Sequence, residues 1–143
     1  MLLLIAGNAD ENFKKELKTY KFRNEVKLLE DLDKADLAKI TASAYTFIYP
    51  IFYDDIALPA LQALQCHVPL ITSDAGALPN VFGKAALYFN PQNFEDIAEK
   101  MMRVFKDEDK AKKLVNAGKE LMQHYQTDKT AELLMQCILK CAN

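Results

Sequence analysis

Glycine is scarce, with four in 143 residues. No Gly-rich dinucleotide fingerprint and no Walker loop occur, so the usual phosphate-cradling motifs are excluded. Cysteine is scarce too. Cys66, Cys137 and Cys141 form no CxxC pair and no zinc spacing. Cys66 sits in an apolar run, and Cys137 and Cys141 lie one helical turn apart. All three read as small core residues of a reduced, cytoplasmic protein. A basic surplus is missing, the net charge being −2. That argues against a nucleic-acid partner, because neutralising phosphates takes clustered Lys and Arg. No apolar run approaches the ~18 residues of a membrane span. Leu2-Leu3-Leu4-Ile5 is too short for a secretory signal and has no basic leader. Low-complexity segments, long linkers and solenoid repeats are absent.

What remains is the composition of a soluble protein, half apolar and 27% charged. We expect a single domain over residues 1–143, long enough to bury a core. Strand and helix signals alternate along it. Leu2 to Ala6 is a continuous apolar run closed by Gly7-Asn8, the pattern of a strand buried on both faces. Glu11 to Tyr20 reads as an amphipathic helix with Phe13 and Leu17 on one side. Val26 to Leu29 reads as a strand, and Asp33 to Ser43 as a helix with Leu37 and Ile40 inward. Tyr45 to Tyr49 is a third strand, ended by Pro50. Pro59 to Cys66 is a short apolar helix, Val68 to Thr72 a fourth strand and Ser73 to Gly83 a loop. Ala85 to Phe89 is a fifth strand, ended by Asn90-Pro91. Three helices follow: one on which Phe94, Ile97, Met101, Val104 and Phe105 repeat at i, i+3, i+4 spacing as one apolar stripe, one around Gly118, and one through Leu134, Cys137, Ile138 and Cys141.

Five short strands alternating with helices predict an α/β fold, a Rossmann-like doubly wound parallel sheet with helices on both faces and C-terminal helices packed on it. Ligands of such folds bind at the carboxyl ends of the strands. The loop from Pro50 to Leu58 is the candidate. Pro59 opens its helix, where a missing N–H does no harm. A helix start there offers N–H groups and partial positive charge to a phosphate. Asp54 and Asp55 read equally well as caps of that helix. Gln62, taken alone, reads as a solvated polar residue, and His67 as a surface turn residue.

The string Leu58-Pro59-Ala60-Leu61-Gln62-Ala63-Leu64-Gln65-Cys66-His67-Val68-Pro69-Leu70-Ile71 resembles the donor-site signature of group 1 (family 4) retaining glycosyltransferases of the GT-B architecture. The resemblance resumes in Ser73-Asp74-Ala75-Gly76-Ala77-Leu78-Pro79, in Gly83-Lys84-Ala85-Ala86-Leu87 and in Asn90-Pro91. Leu3-Leu4-Ile5-Ala6-Gly7 and Val26-Lys27-Leu28-Leu29 resemble the second and third strands of the family's C-terminal half. Gln126 to Leu134 resembles its closing helix, with Thr127 in place of a tryptophan.

The resemblance implies a nucleotide-sugar donor site without a metal. Asp54-Asp55 is therefore no metal clamp. Asp54 stands where the family has the glutamate that acts near the transferred sugar. Gln62 stands where a second glutamate holds the ribose hydroxyls. Asp55, Ile56 and Ala57 stand for the Gly-Phe-Gly backbone between them, with Leu58 following and Gly7 on the second strand's loop. Three replacements matter physically. Asp54 is a methylene shorter than Glu, Gln62 accepts ribose hydroxyls more weakly than a carboxylate, and Ala57 is strained if its φ is positive. His67 replaces a glycine at the corner before the fourth strand, and Asn80 replaces a glutamate.

The resemblance also implies an N-terminal acceptor half and a first strand and helix that this chain does not show. We expect a fragment of a longer protein, or a shortened domain that dimerises through exposed sheet edges, with peripheral membrane association of the full-length protein. The alternative is a non-catalytic relative, a binding or assembly module that kept the fold and lost the chemistry. A receiver-type domain fits less well, because Gly7-Asn8-Ala9-Asp10 does not resemble its acidic cluster.

Overall fold

The computed structural model describes residues 2–53, 57–125 and 127–142. They form two compact units, 1–40 and 41–143. Each unit is described by itself.

The first unit pairs β1 (Leu3–Ala6) in parallel with β2 (Val26–Leu29), Leu3 facing Val26 and Ala6 facing Leu29. Between them runs α1 (Glu11–Thr19), capped by the Asp10 carboxylate, which accepts the Phe13 N–H at 2.7 Å. Lys14 reaches Glu30, just past β2, at 2.9 Å. Contact with Glu30 holds the Lys14 ammonium above its ordinary range, and the same hydrogen bond holds the Glu30 carboxyl below its own. None of the described residues 2–40 is buried. β1, expected to be buried on both faces, leaves Leu3 and Leu4 more than a third exposed. The reason is that a two-stranded sheet with one helix has too few layers to cover an apolar run on both sides. The helix α2 (Lys34–Ala42) runs across the boundary between the units.

The second unit is built on a parallel sheet in the order β3 (Phe47–Tyr49), β4 (Leu70–Ser73), β5 (Ala86–Phe89). Phe47 pairs with Leu70, and Leu70 with Ala86. Side chains alternate across it, as the strand period of two requires. Leu70, Ala86, Phe47 and Tyr49 join one core with α3 (Leu58–Gln65) and α4 (Leu78–Phe82). Ile71, Phe89, Ile48 and Leu87 join a second core with α5 (Phe94–Lys106). The helix α6 (Glu108–Met122) contributes to both, Ala117 and Leu121 to the first and Leu114 to the second. Helices therefore cover both faces, as the alternation predicts.

Several expectations are corrected. The loop expected from Ser73 to Gly83 contains α4, whose five residues and early Pro79 leave too little periodicity to read. Phe94 and Phe105 point outward at 80% and 56% exposure, because the buried face of α5 runs through Ile97, Met101 and Val104. Cys137 and Cys141 are exposed rather than core, and Cys66 is half-buried. Both exposed thiols lie on α7 (Thr127–Ala142), none of whose described side chains is buried. Gln126, where the closing helix was expected to begin, lies outside the described residues.

Two details position α3. Its carboxyl end closes with the Val68 N–H on the Ala63 carbonyl at 3.1 Å and the His67 N–H on Leu64 at 3.0 Å. That double bond is the Schellman arrangement, which puts the residue after the cap in the left-handed region. His67 occupies it, with φ 60°, so the family's glycine there had a conformational reason. Gly118 of α6 lies against α3 so closely that a Cβ would meet Leu64 Cδ2 at 2.9 Å. On the far side, the β5–α5 turn is tied by Asp96, which accepts the Asn90 N–H at 2.8 Å and pairs with Lys100 at 2.7 Å. Hydrogen bonds from Lys100 and then Asn90 hold the Asp96 carboxyl below its usual range.

His67→Gly should raise unfolding free energy by about 1 kcal/mol and His67→Val should lower it by a similar amount, read by urea denaturation. Gly118→Leu should cost about 2 kcal/mol through overpacking against Leu64. Because folding depresses the Asp96 pKa, its contribution is full above about pH 4 and is lost as pH falls through the folded value. Urea midpoints measured down to pH 3 should therefore fall further in the wild type than in Asp96→Asn.

Candidate functional site

β4 sets the geometry of the candidate loop. All four of its residues are buried, and its last two are hydroxyls at the carboxyl end. Thr72 Oγ1 donates to the Tyr49 carbonyl at 3.2 Å, and Ser73 Oγ donates to the Ile51 carbonyl at 2.5 Å. Buried hydroxyls need such partners. Here the partners are the last carbonyl of β3 and the second residue of the loop. The Ile51 N–H turns back to Tyr49 at 3.2 Å. The loop's departure from the sheet is thus fixed by strand hydroxyls acting on main-chain oxygens.

The loop returns at Ala57, which is wholly buried and left-handed, with φ 51° and ψ 39°. The strain anticipated for an alanine in a glycine position is therefore present. Its carbonyl accepts the N–H groups of both Ala60 and Leu61 at 3.0 Å. Pro59 has no N–H. Neither the Ala57 N–H nor the Leu58 N–H has an acceptor among the described residues. That is fewer donors than a generic helix N-terminus suggests. The partial positive charge of the helix start is unaffected by this count.

The sequence-predicted residues divide as follows. Asp54, Asp55 and Ile56 lie outside the described residues. Ala57 and Leu58 form the start of α3, Leu58 being 58% exposed. Gln62 is exposed one turn further on, and its spacing from Leu58 puts the two on one face. Phe52 and Tyr53, at 52% and 90% exposure, present aromatic surface on the outgoing limb. Gly7 belongs to the first unit, where it has φ 135° and donates its N–H to the Leu29 carbonyl at 3.1 Å. Ala57, Leu58 and Gln62 are brought together on one short helix. Thr72 and Ser73 were missed by sequence reasoning. Their signal was two hydroxyl residues closing a buried apolar strand.

Asp74 continues from β4, its N–H held by the Phe89 carbonyl at 2.9 Å. Gly76, at φ 58°, makes the turn into α4, where Ala77 accepts from Asn80 and Val81. The carboxyl ends of β3 and β4 therefore each feed a helix start containing a proline in its first turn. No group of three or more metal-ligating side chains occurs among the described residues.

Comparison with known proteins agrees with this arrangement. O-antigen chain mannosyltransferase B of Escherichia coli is 37% identical over 73 residues, which is 51% of this chain and 19% of that protein. Sucrose-phosphate synthase from Thermosynechococcus elongatus superposes with a TM-score of 0.83 at 22% identity, covering 98% of this chain and 38% of that one. The pneumococcal O-GlcNAc transferase GtfA, solved with UDP and GlcNAc, superposes with a TM-score of 0.82 at 13% identity, covering 98% and 29%. At such identities the two structures establish the GT-B Rossmann-like fold. The chain spans well under half the length of each of these three proteins. Residues 1–121 match the family described as glycosyl transferases group 1, and the chain belongs to that family.

Proposed function

We propose that this chain is the donor-binding part of a retaining glycosyltransferase. It would take a nucleotide-activated sugar at the carboxyl ends of β3 and β4. The observation that carries this reading is the start of α3. There Ala57 caps the helix and Leu58 and Gln62 share one of its faces, beside a strand end tied to β4 by Thr72 and Ser73.

Each group has a chemical task in this reading. The Leu58 N–H and the positive end of α3 face the diphosphate and stabilise the charge that builds on it as the glycosidic bond to phosphate breaks. The Gln62 amide, one turn on, accepts from one ribose hydroxyl and donates to another. Asp54 is assigned the position beside the transferred sugar, and Asp55 and Ile56 the backbone that approaches it. No resident metal is invoked, since the helix start supplies the positive charge. The acceptor would be held by an N-terminal half of the full-length protein. The resemblance to a chain-building mannosyltransferase supports a polysaccharide as product. The three free thiols support a reducing, cytoplasmic setting. No helix among the described residues is long and apolar enough to cross a membrane.

One observation favours a second reading, a relative that kept the fold and binds without catalysis. Ala57 keeps a left-handed backbone with a side chain in place of hydrogen. Pro59 and the Ala57 carbonyl also leave, among the described residues, fewer open donors than a generic helix start offers. Both features weaken a diphosphate site without abolishing it.

Titration calorimetry of the full-length protein with UDP, GDP and their sugar conjugates distinguishes these. The donor reading expects one nucleotide class to bind and Gln62→Glu to tighten it about fivefold, as a charged acceptor replaces a neutral one. Binding by none of these nucleotides would overturn it. Binding without sugar transfer to any acceptor would favour the second reading.

A further inference from the structure

The second unit carries a cleft that the donor reading does not use. It has a volume of about 590 Å³ and is lined by Tyr45, Pro69 and one face of α6, from Glu108 through Val115 and Asn116 to Lys119. Tyr45 precedes β3, and Pro69 immediately precedes β4. The cleft thus lies at the amino ends of the strands, whereas the start of α3 follows their carboxyl ends. Strands of three to four residues separate the two ends by roughly 10–13 Å.

We infer that this cleft is a second binding site, for a short segment of a neutral saccharide chain. The inference rests on the glycosyltransferase reading for its choice of sugar, and on the cleft itself for its chemistry. A pyranose has a C–H face and a rim of hydroxyls, so its site needs an aromatic or apolar platform bordered by mixed donors and acceptors.

Both parts are present. Tyr45 is 55% exposed, and its ring rests against a neighbour. Its hydroxyl donates to the Phe105 carbonyl at 3.4 Å, and the ring leans on Phe105 at 5.9 Å between centroids. An aromatic side chain so supported loses little entropy on binding. Pro69 and Val115 extend the apolar floor. Asn116 offers two donors and an acceptor, Lys119 three donors and Glu108 two acceptor oxygens. Glu108 meets Lys112 only at 3.6 Å, with both side chains at least 70% exposed. Such a pair contributes little and leaves the carboxylate available.

Charge and length narrow the ligand. One carboxylate, Glu108, stands against two ammoniums, Lys112 and Lys119, too small a surplus for a polyanion. From Glu108 to Lys119 the helix rises about 16 Å, which suits several sugar rings in a row better than one. The volume falls within the range typical of small-ligand sites, roughly 300–1,000 Å³. A chain-extending transferase would use such a site to keep its polymer near the donor end of the same sheet.

The test is amide NMR of the full-length protein titrated separately with mannose, mannotriose, mannohexaose, a sulfated oligosaccharide, GDP and UDP. The expected result is that mannotriose and mannohexaose shift Tyr45 and residues 108–119 and bind more tightly than mannose. Tyr45→Ala should weaken mannotriose about tenfold or more, Tyr45→Phe should retain it, and Asn116→Ala should weaken it less. Asn116 is exposed on a helix surface, so its variant serves if Tyr45→Ala does not fold. Failure of the neutral oligosaccharides to shift this face would overturn the inference. So would binding indifferent to both alanine variants, or preference for the sulfated sugar. Nucleotide shifts are read separately at Leu58–Gln62, so failure of the donor reading is distinguishable from failure of this one.

Discussion

β4 is buried from end to end, and a buried strand must have its main-chain groups paired on both sides. β3 and β5 supply those pairs, and the four side chains of β4 divide the interior between them. Leu70 enters the core under α3 and α4, and Ile71 enters the core under α5. Thr72 and Ser73 cannot be left without partners in such a place, so their hydroxyls reach the last carbonyl of β3 and the Ile51 carbonyl beyond it. Sheet, two cores and loop anchor therefore depend on one four-residue strand. The end of α3 is fixed by the turn at His67 and its side by Gly118.

The first unit is governed by a different balance. Its strands pair in good register and Lys14 bridges to Glu30, but no described side chain in it is buried. Hydrogen bonds and an exposed ion pair contribute modestly to stability, whereas burial supplies most of it. The described residues of the two units thus differ in how they are held together, the second by packing and the first by pairing.

Much of the fold was legible because parallel strands buried on both faces read as continuous apolar runs. Val26–Leu29 was bounded correctly, and Ala86–Phe89 and Glu11–Thr19 to within one residue. Tyr45 was misjudged as strand because aromatic character signals a pleated, half-buried surface. In the structure that surface is a cleft wall. α4 escaped notice because five residues hold barely one turn. The outward Phe94 and Phe105 show that a helix can carry more apolar residues than its buried face uses. At the site, the left-handed Ala57 was readable from the glycine it replaces. Thr72 and Ser73 were not, since hydroxyls declare a role only when their burial is known.

The bonds from Thr72 and Ser73 end on backbone oxygens, which every amino acid carries alike. Such an anchor is indifferent to the identities of Tyr49 and Ile51 and to the side chains beyond them. Mutations can therefore accumulate in this loop over generations while its point of departure from the sheet stays where it was. The tether thereby uncouples the evolution of the loop's chemistry from the preservation of its position.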